Sequence, residues 1–204
     1  MPVDIIVYSD YLSPWCYVLA VRLHRVKEEY GDSVRIIWKS RPMVVGDIPD
    51  RKISPHSMES RARAALEEEG LFNPWDESQL YPSSSMPAQI ASKCALLQGE
   101  EAFERFHSAV FMAFFRDCRD ISKRDVLISV ATDAGLDVEK FLADFESDEL
   151  RQEVLADAEE VRSQYHGWGI PLTVVGGRMP IEGAAPTDVY RRAVAVCLGE
   201  QPDS

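Results

Sequence analysis

The sequence predicts an α/β fold: a four-stranded mixed sheet whose two halves are separated in the chain by a large all-helical insertion. Three observations lead to it. A strand–helix–strand pattern opens the chain, a strand–turn–strand–helix pattern closes it, and helical periodicity fills the interval from Ser54 to Ser163. The expected division is therefore 1–53 for the first half of the sheet domain, 54–163 for the helical insertion and 164–204 for the second half.

The first element, "VDIIVYSD", is rich in β-branched and aromatic residues and is bounded by Ser9-Asp10. The following helix has a well-marked start, with Ser13 as N-cap and Pro14 at the first helical position. Trp15, Val18, Leu19, Arg22, Leu23, Val26 and Tyr30 recur at spacings of three and four, which gives one largely apolar face. Gly31-Asp32 ends that helix, and "SVRIIWK" reads as the second strand. Such βαβ units are almost always right-handed with parallel strands. Helices then follow in "PHSMESRARAALEEEG", in a longer segment broken near Gly99, in "SKRDVLISVATDAG" with Ser122 as its cap, in "DVEKFLADFES" and in "DELRQEVLADAEEVRSQYHG". The stretch from Asn73 to Pro87 is the least regular. After Gly167, "PLTVV", Gly176-Gly177 and "RMPIEG" predict a hairpin closed by a glycine turn, and "PTDVYRRAVAVCLG" a final helix.

Composition narrows the function. The 204 residues carry a formal net charge of −12 without a basic run, which argues against a nucleic-acid partner. No segment approaches the roughly 20 apolar residues of a membrane helix, and the short apolar run at the N-terminus is not a signal-peptide core. The expected location is the cytoplasm. The four cysteines, Cys16, Cys94, Cys118 and Cys197, lack zinc-ligand spacing, and no metal is expected. The acidic run Glu67-Glu68-Glu69 reads as a solvated helix face.

The order βαβ–helices–ββα, with S-x-x-C opening the first helix ("SPWC", Ser13 to Cys16), resembles the DsbA-like branch of the thioredoxin fold. "GIPLTVVGGRMPIEGAAPTDVYRRAV" looks like that branch's C-terminal signature, and "IIWKSRPMVVG" is similar to the region after its second strand. The resemblance covers nearly the whole chain. It points to three cytosolic-type subgroups: FrnE-like proteins, 2-hydroxychromene-2-carboxylate isomerases and kappa-class glutathione transferases. The first usually carry Cys-Pro-Trp-Cys, implying dithiol–disulfide exchange. The other two usually carry Ser-Pro-Tyr-Ser or similar, implying glutathione as the working thiol. This chain combines Ser13 of the second type with Trp15-Cys16 of the first.

A serine alkoxide is far too basic to replace the attacking thiolate, so Ser13 and Cys16 cannot form the redox disulfide. Cys16 is then either a packed side chain or a monothiol able to form a mixed disulfide. Ser13 is either a plain N-cap or also a hydrogen-bond donor to the thiolate of bound glutathione, assisted by the helix start. The resemblance implies a cis peptide at Pro171, leaving the backbone of Ile170 free to pair with glutathione or a peptide. It also implies that Gly183, Thr187 and Asp188, at the entry to the last helix, hold the γ-glutamyl end. Pro14 and Trp15 stand at the site, Trp15 as an aromatic wall or as core; Arg41 is expected to reach an acidic ligand and Ser85 to touch substrate, while His166 is a further cleft candidate. The expected partners are glutathione as cosubstrate and a small-molecule or disulfide substrate, with the relatives pointing to a homodimer. The functions open at this point are glutathione-dependent isomerase or transferase chemistry, monothiol disulfide exchange through Cys16, and non-catalytic peptide binding along the Pro171 edge.

Overall fold

The computed structural model describes residues 1–199. Strand β1 (Val3–Ser9) leads into helix α1 (Pro14–Tyr30) and strand β2 (Val34–Ser40). Helices α2 (Pro55–Glu67), α3 (Met86–Leu96), α4 (Glu100–Phe115), α5 (Arg124–Asp133), α6 (Val138–Phe145) and α7 (Asp148–Gln164) follow. Strands β3 (Leu172–Val175) and β4 (Met179–Glu182) and helix α8 (Thr187–Leu198) complete the order. The sheet runs β2-β1-β3-β4. β1 pairs parallel with β2, Val3 opposite Val34 through Ser9 opposite Ser40. β3 pairs antiparallel with β1 and with β4, with Ile5 opposite Val175 and Val175 opposite Met179. The mixed sheet and the helical block agree with the sequence pattern.

Alternation in β1 sends Val3, Ile5 and Val7 to one face, where Leu19, Leu23 and Val26 of α1 and Tyr190 and Val194 of α8 cover them. The opposite face carries Tyr8, Leu172 and Val174 against Val161 of α7. Helix α7, placed by sequence in the insertion, therefore also serves as a layer on the sheet. The largest apolar cluster lies among the helices, around Phe106, Phe111, Phe114 and Phe141, and it takes in Leu12, Cys16 and Tyr17 from the start of α1. The first turn of α1 thus packs into the helical core and its later turns pack on the sheet. In the β3–β4 turn, Gly176 and Gly177 take positive φ of 59° and 70°. A Cβ on Gly176 would sit 2.5 Å from the sulfur of Cys197 in α8, so this turn needs glycine for space as well as conformation.

Two expectations change. Ser122 does not cap α5: its hydroxyl donates to Asp120 Oδ1 at 2.6 Å, and the helix begins at Arg124 without a side-chain cap. Nor is the acidic run merely solvated. Arg22 is 6% exposed and donates to Glu67 at 2.7 Å, to Glu68 at 3.2 Å and to the Ala184 carbonyl at 2.7 Å. Arg25 adds a two-pronged contact to Glu68. These arginines clamp α2 to α1, and Arg22 extends the clamp to the loop before α8. Arg22→Ala leaves Glu67 and the Ala184 carbonyl without their donor and Glu68 with Arg25 alone. Because the acids are partly hydrated, the expected loss is about 2 kcal/mol of unfolding free energy, read as a lower urea midpoint with unchanged slope.

Candidate functional site

Ser13 sits just outside α1 with extended backbone (φ −91°, ψ 117°), and its hydroxyl accepts the Cys16 amide at 3.4 Å. The Ser13 amide in turn donates to the Asp10 carbonyl at 3.1 Å. Pro14, with its fixed φ and no N–H, fills the first helical position. An open cleft of about 280 Å³ lies over this helix start. Leu12, Ser13, Pro14, Trp15, Met43 and Ile170 line it on the sheet-domain side.

The Ile170–Pro171 peptide is cis. Its approach loop is held from behind: the Arg41 guanidinium donates to the carbonyls of Trp168 and Gly169, the Gly169 amide donates to the Glu182 carboxylate, and the Pro171 carbonyl accepts from Gly183 at 2.8 Å. A Cβ on Gly169 would meet the end of the Glu182 side chain, which would have to swing away and give up its bond to the Gly169 amide. Burial holds the Arg41 guanidinium below its ordinary pKa. Arg41 is therefore committed to bracing the loop that presents Ile170, instead of reaching a ligand as the sequence suggested.

Cys16 is fully buried and has no cysteine partner. Burial pushes its thiol up to about 11, against the opposing hydrogen bonds of Ser13, Ser9 and the Asp10 amide. The Asp10 N–H donates to its sulfur at 3.5 Å. The thiol of the motif lies under the cleft, packed in the helical core, while Ser13, itself nearly buried, is the residue of the motif that lines the cleft.

Asp10, which the sequence gave no reason to single out, lies at the base of this arrangement with no exposed surface. Its carboxylate accepts from the Leu12 amide at 2.6 Å and the Met43 amide at 2.5 Å, and the Ser85 hydroxyl is a third partner. Burial raises its pKa while these donors pull it down, and burial is the larger influence. Ser85 is 1% exposed, also accepts from the Val44 amide at 3.1 Å, and so supports the site from beneath without lining the cleft.

The other expected residues lie apart. Gly183, Thr187 and Asp188 are not among the cleft-lining residues, and Asp188 is exposed and paired with Arg191 at 2.7 Å. His166 is exposed and also outside the cleft lining. The facing wall comes instead from α2, through His56, Ser57, Glu59, Ser60 and Arg63. Sequence reasoning missed this wall. Its polar residues recur at helical spacing behind the Ser54 cap, which marks a hydrated face but not what that face looks across. Among the described residues, no group of three or more histidine, cysteine, aspartate or glutamate side chains is arranged to hold a metal ion.

A model of the DSBA-like thioredoxin domain matches residues 4–195. The chain belongs to this family. Among solved structures, a DSBA-like relative from Nitrosomonas europaea, described as a candidate protein disulfide isomerase, superposes with a TM-score of 0.84 at 20% identity, with 98% of both chains covered. The cytosolic disulfide reductase DsbM from Pseudomonas aeruginosa, solved with glutathione, gives 0.72 at 19% identity over 96% of this chain and 99% of its own. These two likenesses show the fold. In sequence, the ClpXP adapter protein SpxH of Bacillus subtilis is 25% identical over 98% of this chain and 69% of its own length. No helix among the described residues is long and apolar enough to cross a membrane.

The burial of Cys16 predicts its reactivity. With a thiol pKa of about 11, roughly 0.1% is thiolate at pH 8, and the atom is covered. Brief treatment of the folded protein with N-ethylmaleimide, followed by peptide mass mapping, is expected to mark the part-exposed Cys118 and Cys197 and to leave Cys16 and Cys94 unmodified until denaturant is added. Fast native labelling of Cys16 contradicts this picture.

Proposed function

We propose that this DSBA-like protein is a thiol-dependent enzyme that uses bound glutathione for isomerase or transferase chemistry on a small electrophile. One observation carries the reading: at the helix start the protein's own sulfur is sealed beneath the cleft and a hydroxyl occupies the reactive position. The Ser13 hydroxyl accepts from the Cys16 amide and stands beside the Cys16 thiol; turned away from that sulfur, its proton would serve a thiolate in the cleft. Pro14 has no N–H and the Cys16 and Tyr17 amides already donate to Ser13, so the Trp15 amide and the positive end of the helix dipole add to that stabilisation. The main chain of Ile170, presented by the Arg41 brace, offers pairing to the tripeptide backbone, and the α2 wall supplies polar groups of both signs.

In this reading the glutathione thiolate adds to an electrophilic carbon–carbon double bond: a carbon–sulfur bond forms, the π bond breaks and the neighbouring carbon takes up a proton. A transferase releases that conjugate; an isomerase breaks the same bond after rearrangement and returns the thiol. The chemistry needs reduced glutathione, which fits a cytoplasmic location. The glutathione bound to DsbM, a protein of the same fold, supports the reading by analogy. The SpxH relatives favour a second one, a non-catalytic module that holds an extended peptide along Ile170.

Reduced glutathione at ten times its Kd is expected to raise Tm by about 3–6 °C. Ser13→Ala is expected to keep the fold and to raise the pKa of the bound thiol by about one unit, the worth of a lost charge-assisted hydrogen bond. That change is read as lost thiolate absorbance at 240 nm. No thermal response at millimolar glutathione removes the enzyme reading and leaves the peptide module.

A further inference from the structure

A second concavity shares no lining residue with the cleft over Ser13. It runs between α1, β2 and α4 as two adjoining hollows of about 250 and 310 Å³, which have Lys27, Ile36, Trp38 and Glu104 in common. Three regular elements each present one stripe to it. Tyr17, Ala20, Val21 and His24 follow i, i+3, i+4, i+7 on α1; Glu104, His107, Ser108 and Phe111 follow the same spacing on α4; Ile36 and Trp38 alternate on β2. The Tyr17 and Phe111 rings stack with centroids 5.1 Å apart, and Trp38 lies 4.2 Å from the His107 ring.

Two polar features of this aromatic groove are unanswered. His107 is 6% exposed, and its Nε2 atom is buried with no hydrogen-bond partner. Its Nδ1 meets the Tyr11 hydroxyl at 2.8 Å, so Nε2 points away from Tyr11, which does not line the groove. In the tautomer that a donor entering the groove selects, Nδ1–H donates to the Tyr11 oxygen and Nε2 carries a lone pair. Burial holds this imidazole neutral, with its pKa lowered to about 3. The second feature is charge. The cations at the rim are already engaged: Lys27 with the carbonyls of Gly31 and Val34, Arg35 with Asp4. Exposed Glu104, which lines both hollows, has no ion pair or hydrogen bond among the described residues.

We propose that this groove is a binding site for a small organic cation on a flat apolar body, an aryl amidine, guanidine or amine. The ring lies among Tyr17, Trp38 and Phe111, the cation is drawn by the aromatic faces and by Glu104, and one of its N–H groups donates to Nε2 of His107. The site needs nothing from Ser13, so it is independent of the glutathione reading.

Benzamidine is the probe, titrated into the full chain and followed by amide and indole NMR shifts. Saturable shifts at Trp38 and Ala20 with a Kd below about 5 mM are expected, at least fivefold weaker in Glu104→Gln, with benzyl alcohol and benzoate binding at least fivefold more weakly than benzamidine. Glu104 is exposed, so its variant retains the fold; His107→Phe, checked by circular dichroism, is expected to weaken benzamidine while leaving benzyl alcohol unchanged. Absence of saturation by 20 mM, equal binding of benzyl alcohol, shifts confined to the Ser13 cleft, or an unchanged affinity in Glu104→Gln each overturns the assignment.

Discussion

The site depends on one buried carboxylate. Asp10 directly follows β1, and the helix start beneath the cleft is tied to it. Its side chain gathers the Leu12 amide of the turn, the Met43 amide of the loop after β2 and the Ser85 hydroxyl just before α3. Its main chain holds the Ser13 amide through the carbonyl and touches the Cys16 sulfur through the N–H. Three segments far apart in sequence thus meet on a few atoms. An unpaired carboxylate costs several kcal/mol to bury; this one is compensated by donors that each come from a different part of the chain. The same bonds that make its burial tolerable therefore fix the position of the helix start.

With the helix start fixed, the roles of its two polar side chains separate. A reachable sulfur and a buried sulfur one turn apart are what a dithiol switch requires, and here the position that lines the cleft, Ser13, carries oxygen and is itself only 3% exposed. The remaining cysteine behaves as part of the aromatic core around Tyr17 and Phe111. The helix end keeps its electropositive character without a nucleophile of its own. Arg41 contributes at one remove, its guanidinium holding the carbonyls that lead into Ile170.

Much of this was legible in the residues. Ser13-Pro14 announces a capped helix by chemistry that acts within four residues, and β1, β2 and the Gly176-Gly177 hairpin are likewise local. The family motifs directed attention to Ile170 and Pro171. What escaped was set by distance in sequence. Arg41 reads as a ligand contact and Asp10 as the end of a strand until their partners arrive from more than a hundred and more than thirty positions away. Glu68 reads as a surface acid because the arginines that cover it belong to α1. The α2 wall was invisible for a related reason: periodicity tells which side of a helix is wet, and a binding cleft is also wet. His107 shows the converse. A histidine among phenylalanines reads as a packed residue, and only the Tyr11 hydroxyl at Nδ1, with Nε2 left unpartnered, gives its outer nitrogen a role.

The arginine clamp between α1 and α2 has a consequence for how such a cleft diversifies. The residues of α2 that hold the helix in place, Glu67 and Arg61, are not those that face the opening, His56, Ser57, Glu59, Ser60 and Arg63. Anchoring and recognition occupy different sides of one cylinder. The cleft accordingly has one wall that folding holds constant and another whose side chains are exchangeable at little cost to stability. A lineage can change what it admits by rewriting five positions on a single helix, leaving the machinery at Ser13 untouched.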